Sequence, residues 1–558
     1  MLLFLPIAVF YFYGLGAIPL VGPDEPRYAE VAREMFARHD WISPTLGGHL
    51  WFEKPALLYW LMMVGYRVLG VSEYAARVGP AVCGLLTAVL TYWLGSRLVS
   101  AQQPLDAAHE PDLESGEWRE YFPWLSTLVF LSSAGAIVFS RAASFDIVVT
   151  MTVTAALSCF FLWEIGGSGG KGGRRGSLLL LSGFYALIGL SLLAKGLVGI
   201  VIPFGVVGLY FVLGRRWPTR GLLVSLAWGL PFAVVVASLW YGPMISRHGW
   251  KFVDQFVVQH HFARFVSNKY HHPQPFYFYL PILALLALPW SIFFASAMFG
   301  AKRWNWRGDN ARDRLRIFAL AWTVVPVAFF SLSGSKLPGY VLPVLPAVAL
   351  LTGDRLSDLV GRETGRTAMR LTGALALVIA VAGTVYSVRK LGVPFHCASL
   401  AMLPVIIGAS CALLRPQLGK ALILLTAFVT FGTFVVVIKC AAPAIADRES
   451  VRELLRMADA KGYGSVPVVQ LFTIDRTAEF YAAGRLTYGA DGEPVMLEGV
   501  PQVVDVARKS GGSVLVIVPT RHAARLLESQ SLRVETVGGN DQLVVALTRL
   551  RESAKPSP

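Results

Sequence analysis

Apolar stretches long enough to cross a bilayer recur along most of this chain, from Met1 to about Ile438. Inside a hydrocarbon core of about 30 Å no water is available to the backbone, so such stretches must be helices that satisfy their own N–H and C=O groups. Composition points the same way: 55% of the 558 residues are hydrophobic and 15% charged, with a mean hydropathy of +0.55. That excludes ordinary soluble, disordered, fibrous and small disulfide-scaffold classes. A net charge of +15 would suggest a nucleic-acid partner in a soluble protein. In a membrane protein it is the location of Lys and Arg that matters, because they collect in cytoplasmic loops; no nucleic acid is expected.

The apolar-length criterion predicts about thirteen transmembrane helices, near 1–20, 76–96, 122–140, 145–164, 177–194, 197–214, 221–241, 276–299, 317–333, 338–353, 369–388, 399–414 and 418–438. With a cytoplasmic N-terminus, one set of connections holds a dense series of basic residues, including Arg174, Arg175, Arg215, Arg216, Lys302, Arg303, Arg312, Arg316, Arg355 and Arg366. The opposite short connections hold Arg141, Lys195, Lys336, Arg389 and Lys390. This asymmetry supports count and orientation together, and an odd count leaves the C-terminus outside. The N-terminal MLLFLPIAVFYFYGLGAIPL has no basic n-region and is read as a retained first span.

Two outer loops are long, about 21–75 and 242–275, which marks them as functional. In the first, DEPRYAEVAREMFARHD reads as an amphipathic helix and KPALLYWLMMVGYRVLG as a second helix on the membrane surface. The domain division is therefore 1–440 for the membrane body and 441–558 for an extracytoplasmic α/β domain, where VPVVQLF and SVLVIVP read as buried strands among helices. Neither a GxGxxG nor a P-loop occurs there, so no nucleotide is expected. Cys83, Cys159 and Cys411 fall inside spans as small hydrophobes. Cys397 and Cys440 flank the last two spans on one side, where an oxidising compartment would allow a disulfide.

Ionisable groups at membrane depth or at a span's outer end are costly and become functional candidates. Asp24 and Glu25 follow the first span; either is a general base, a metal ligand or an N-cap. Glu53 and Lys54 in FEKPALLYW offer an acid beside an ammonium suited to a phosphate, or a local ion pair. Asp146 in SRAASFDIVVT is a site residue or an N-cap. In the second loop, His261 and Arg264 share a helical face, with His260, His271 and His272 nearby; a metal, an anion site and a plain aromatic membrane anchor all fit. Lys336 and Tyr340 lie in the proline-interrupted SKLPGYVLPVLP.

The motifs DEPRYAEVAREM, FEKPALLYW, SRAASFDIVVT, LLAKGLVGIVIP, HHFARF with HHPQPFYFYLP, and SKLPGYVLPVLP, in this order, resemble polytopic bacterial glycosyltransferases of the GT-C superfamily. The resemblance is to aminoarabinose transferases of lipid A and to protein O-mannosyltransferases, and it covers essentially the whole chain. It implies a GT-C fold of membrane helices with a C-terminal soluble domain. It further implies catalytic acids at Asp24 and Asp146, lipid-phosphate binding by Lys54, Arg264 and Tyr340, and a divalent metal such as zinc at Glu53 and His261. The implied partners are a polyprenyl-phosphate sugar donor, membrane lipids, and a lipid A, glycolipid or protein acceptor; the implied address is the bacterial inner membrane, with the active site facing the periplasm. Two departures stand out: EKPA replaces the usual EKPP, and His260 replaces an acid before the HxxRF histidine.

By this reading the reaction is a single displacement at the anomeric carbon, with inversion, as the lipid phosphate leaves. A secondary transporter or lipid flippase is the rival from another class; it requires repeat symmetry and broken helices near the midplane, whereas these ionisable groups gather at one rim.

Overall fold

The computed structural model describes residues 4–106, 113–166, 174–263, 274–362 and 365–551. Among these, eight helices are long and apolar enough to cross a membrane, or up to ten if each of two bent pairs is one span. The count of thirteen is not confirmed, and the physical reasons lie in three segments. The described residues near 1–20 supply only α1 (Phe4–Phe12), nine residues long and about 14 Å by helical rise. Residues near 197–214 form a sixteen-residue helix. Residues near 338–353 begin as a 3-10 segment, Pro338–Val344, then continue as a helix, Leu345–Arg362, whose second half carries Asp354, Arg355 and Asp358.

After α1 the chain forms the juxtamembrane helix α2 (Glu25–Ala37), a two-residue antiparallel pair β1 (Thr45–Leu46) and β2 (His49–Leu50), and the short apolar helix α3 (Leu57–Leu69). Helix α4 (Glu73–Asp106) opens on Ser72, whose hydroxyl accepts the Ala75 N–H at 3.2 Å, the usual capping geometry. A Cβ at Gly65 would lie 2.4 Å from the Ala75 carbonyl oxygen; only glycine lets α3 cross α4 this closely.

Helices α5 (Leu113–Ser132) and α6 (Ala134–Ser140) form one bent pair, and its axis turns by 58°. Next come α7 (Phe145–Gly166), α8 (Arg174–Lys195), α9 (Val198–Leu213) and α10 (Arg220–Phe252). The chain of α7 is rich in β-branched residues, but in lipid every backbone group must bond within the helix. The Thr150 and Thr154 hydroxyls donate to the carbonyls of Asp146 and Thr150, so these two threonines are satisfied within α7 itself. Its apolar window is 83% buried, against 17% for Arg366–Arg389; α7 is therefore central, and the later helix turns Val378, Val381 and Leu371 outward.

Helix α10 continues past the expected start of the second loop. It breaks at Gly249 and passes into a π-helix, Val253–Ala263. Residues Tyr279–Leu286 and Ser291–Gly300 form the second bent pair. Ala311–Ser331, Arg366–Arg389, Phe395–Leu414 and Gly419–Val436 complete the membrane helices. Cys397 and Cys440 are disulfide-bonded with Cα atoms 5.4 Å apart.

The C-terminal domain has a five-stranded sheet. Strands β3 (Val468–Leu471), β4 (Met496–Leu497), β5 (Ser513–Pro519), β6 (Leu532–Gly539) and β7 (Leu543–Leu550) lie in the order β4-β3-β5-β7-β6. The β3 strand runs parallel to β4 and β5, while β7 is antiparallel to β5 and β6. The alternating sides of β5 pack on Leu454 and Leu455 of one helix and on Val503 and Ala507 of another, giving a core on each face. This domain sits on α2. Arg33 donates to the Phe480 carbonyl at 3.1 Å, Arg27 pairs with Glu479 at 3.5 Å, and the Tyr481 hydroxyl accepts the Leu20 N–H at 2.7 Å and donates to Glu73 at 3.1 Å.

Candidate active site

The acidic dipeptide at the head of α2 divides its labour. Glu25 is structural: it takes a bidentate pair from Arg77, at 3.0 and 2.7 Å, and the Ala143 N–H at 2.6 Å. Arg77 also donates to the carbonyls of Leu15, Ile18 and Pro19. One buried guanidinium thereby fastens the end of the first helix region, the start of α2 and the turn before α7. Asp24 stands at the N-cap position of α2 but makes no side-chain capping bond, and it is exposed. The capping role open to this residue from the sequence is not taken up, which leaves its carboxylate available at a point that Glu25 holds rigid.

Tyr28 is buried one turn into α2 and packs edge-on against Phe145 at 4.9 Å. Burial, and then the negative charges of Asp24, Glu53 and Asp146 together with Tyr59, hold its phenol well above the ordinary range. That one hydroxyl is under the influence of three carboxylates from three separate sequence motifs. Tyr59 on α3 is also buried, and its phenol is raised by burial first and by Glu53 next. Both tyrosines remain protonated donors across the physiological range. Glu53 and Lys54 are half-buried just before α3.

Asp146 lies in the first turn of α7. Its backbone N–H is capped by the Ser144 hydroxyl at 3.1 Å, and its carboxylate pairs with Lys195 from the last turn of α8. The Lys195 ammonium in turn lies 4.4 Å from the ring centroid of Tyr340, a cation–π distance. A Cβ at Gly339 would sit 2.1 Å from an Asp146 carboxylate oxygen, so the SKLPGY motif approaches this acid at backbone range. Lys336 is buried and donates to the Ser333 carbonyl at 2.7 Å, which makes it part of the local turn.

Among the residues expected from sequence, Asp24, Glu53 and Asp146 are drawn together, and Tyr340 joins through Lys195. Arg264, His271 and His272 lie outside the described residues, and of His261 only the backbone is described. Glu53 supplies an oxygen donor of the type zinc accepts. Among the described residues the one group with metal-ligand proximity is His396 with Cys397 and Cys440, and its two sulfurs are already bonded to each other.

With this geometry in view, the similarities to known proteins take on weight. Residues 1–102 match the family model described as dolichyl-phosphate-mannose-protein mannosyltransferase. An undecaprenyl phosphate-alpha-4-amino-4-deoxy-L-arabinose arabinosyl transferase of Erwinia tasmaniensis is 30% identical over 74% of this chain and 70% of its own length. The chain belongs to this arabinosyl transferase family. A relative of the same name from Edwardsiella ictaluri is 31% identical over 66% of this chain, and the chain spans 61% of that relative's length. The crystal structure of ArnT from Cupriavidus metallidurans bound to undecaprenyl phosphate matches 98% of this chain and 97% of its own, with a TM-score of 0.75 at 23% identity, and so shares the fold.

Within this arabinosyl transferase family member, sequence reasoning missed two contributors. Lys195 is a loop charge within the LLAKGLVGIVIP motif and is given no role from sequence, although it is the single charged residue between Gly176 and Gly214; an isolated ammonium in so apolar a stretch is a functional signal. Tyr28 carried no sequence signal, because its importance comes from the three acids that tertiary packing brings to it.

Proposed function

We propose that this protein is an integral-membrane glycosyltransferase that moves a sugar from a polyprenyl-phosphate-linked donor, of the undecaprenyl phosphate-aminoarabinose type, to lipid A or another envelope glycolipid. The observation that carries the reading is the ion pair of Asp146 with Lys195 against the Tyr340 ring, with Asp24, Glu53 and Asp146 all acting electrostatically on the buried Tyr28. These groups sit at helix ends, where a lipid-borne donor and a polar acceptor meet. The proposed orientation puts this rim and the C-terminal domain on the periplasmic side of the inner membrane, as the basic loops on the other side require.

The acceptor oxygen attacks the anomeric carbon, the carbon–oxygen bond to the phosphate breaks, and the configuration inverts. Lys54, Arg264 and Tyr340 supply the cationic and hydroxyl donors that a departing phosphate needs. Asp24, with no capping bond to make, accepts the proton when the acceptor is a hydroxyl, and orients donor or acceptor when the acceptor is already an anionic phosphate. Asp146 holds Lys195 against Tyr340 and so acts on the same side of the site. Glu53 and His261 would hold a divalent metal as a carboxylate–imidazole donor pair, and the metal would supply Lewis-acid charge stabilisation there. The match of residues 1–102 to protein mannosyltransferases favours a protein acceptor as the second reading.

The test is mass spectrometry of lipid A, other glycolipids and envelope proteins from cells carrying the unaltered chain or Asp24→Asn. A sugar mass lost only in the variant supports the proposal and names the acceptor class. An unchanged sugar profile, with the variant present in the membrane and donor supplied, overturns it.

A further inference from the structure

A strongly basic cavity lies far from Asp24 and Asp146. About 650 Å³ in volume, it is lined by Lys302, Arg303, Arg312, Arg316 and Arg355, with Asp354 and Asp358 as its acids. Arg312 and Arg316 stand near the start of the helix Ala311–Ser331, whereas Ser333 and Lys336, which lead to the Tyr340 turn, follow its end. Fifteen or so residues of helical rise put the two ends on the order of 25 Å apart, so the cavity opens at the opposite membrane face.

Its charges are unevenly used. Asp354 is buried and receives Arg312 at 2.6 Å, Arg316 at 2.7 Å and the Trp118 indole N–H at 2.9 Å. Asp358 is held by the same two arginines. These two arginines and two carboxylates neutralise each other in a fixed floor. The surplus comes from Lys302 and Arg303, exposed on the 3-10 turn Ala301–Arg303 and without an ion pair or hydrogen bond among the described residues, and from Arg355, whose Nε donates to Ser296 at 3.1 Å. The rim is apolar: Phe299 is 78% exposed on the last turn of an apolar helix, and Trp304 also lines the cavity. Surplus cations over a neutral floor, bordered by an exposed aromatic rim, suit a molecule with an anionic head and hydrocarbon tails.

We propose that this cavity binds the phosphate of an anionic phospholipid from the leaflet opposite the catalytic rim, with Lys302, Arg303 and Arg355 contacting the headgroup and Phe299 bordering the acyl chains. Basic pockets between membrane helices bind lipid phosphates in this manner. The proposal does not depend on the transferase reading, since none of these residues belongs to the site around Tyr28.

The experiment is native mass spectrometry of the purified full chain in detergent, titrated with phosphatidylglycerol, phosphatidylcholine or inorganic phosphate. It compares the unaltered protein with Lys302→Gln/Arg303→Gln, Arg355→Gln and, as a basic residue outside the cavity, Arg220→Gln. Phosphatidylglycerol should bind at least about tenfold more tightly than phosphatidylcholine. Removing the two exposed cations should weaken it by about 10–30-fold, Arg355→Gln should weaken it less, and Arg220→Gln should leave it unchanged. Equal binding of phosphatidylglycerol by the double variant and the unaltered protein overturns the proposal. So does equal affinity for phosphatidylcholine, and an inorganic phosphate affinity matching that of the lipid reassigns the cavity to a free anion. Lys302 and Arg303 are exposed, so their replacement leaves the fold intact, and a matching melting temperature verifies this.

Discussion

Replacing Glu25 by Gln should separate the structural acid from the chemical one. The Arg77 guanidinium is 4% exposed and would keep three backbone acceptors, the carbonyls of Leu15, Ile18 and Pro19, while losing its counter-charge. Removing one partner of a buried pair costs about 3–5 kcal/mol, and the surviving acceptors put Glu25→Gln near the lower end, about 3 kcal/mol. Arg77→Met should sit near the upper end, about 5 kcal/mol, because it strands the carboxylate and the three carbonyls together. The double variant leaves no unpaired charge, so its cost should fall short of the sum of the singles by about 1–3 kcal/mol. Asp24→Asn, at an exposed residue with no capping bond, should stay within about 0.5 kcal/mol of the parent yet lose transfer by about 10²–10⁴-fold. Unfolding in mixed micelles of rising denaturing-detergent fraction gives the stabilities, and sugar transfer from a polyprenyl-phosphate donor gives the activities. Strict additivity of the two Glu25 and Arg77 costs would refute the clamp, and a Glu25→Gln protein that is stable but inactive would reverse the assigned roles.

Lys195→Met should leave the Asp146 carboxylate half-buried without its cation, lowering stability by about 1–3 kcal/mol; adding Asp146→Asn should recover most of that stability in the same unfolding assay while transfer stays lost. Reducing the Cys397–Cys440 disulfide, which closes a separation of 43 residues, should destabilise the chain by about 2–4 kcal/mol, read as a lower melting temperature under reductant beside a mass shift on alkylation. Glu30, at the seat of the C-terminal domain, is pushed up to about 8 by burial, against the opposing pull of Arg33 at 2.6 Å. Burial raises Glu479 on the other side of that contact as well. A carboxyl raised on folding binds more protons folded than unfolded, so stability should fall as pH rises from about 4.5 to 8. A loss of no less than about 1.4 kcal/mol, one pKa unit's worth, should show in melting curves between pH 5.5 and 8.5 and flatten in Glu30→Gln; an unchanged slope in that variant would place the titration elsewhere.

Much of the architecture was legible because membrane helices announce themselves by length and apolarity, and α7, α8 and α10 need no tertiary help to be recognised. The segments that departed from expectation are those where another force competes. The first apolar run is cut short after Phe12, and its following carbonyls turn to Arg77. The run near 338–353 begins as a 3-10 segment where Gly339 meets Asp146, and the helix that continues it carries Asp354 and Asp358, which need Arg312 and Arg316. The second outer loop starts later than the sequence predicts: α10 runs on through Gly242 and Pro243, the pair of lowest helix propensity, and breaks only at Gly249.

The site divides along the same line. Residue type and motif order were enough to nominate Asp24, Glu53, Lys54, Asp146 and Tyr340, because a charge beside lipid is costly and so marks a use. Sequence could not say which of two adjacent acids caps, clamps or stays available, since Asp24 and Glu25 are chemically alike and differ only in what faces them. Arg77, fifty-two positions away from Glu25, makes that decision. Nor could it join Lys195 to Asp146, or bring three carboxylates to one tyrosine, since these pairings depend on α7 and α8 ending at the same height beside α2. The apolar pattern and the ionisable residue types were thus local properties, written in the chain itself. The role of each charge was decided by tertiary structure, because an ionisable group's behaviour is set by its burial and by the partners within a few ångströms of it.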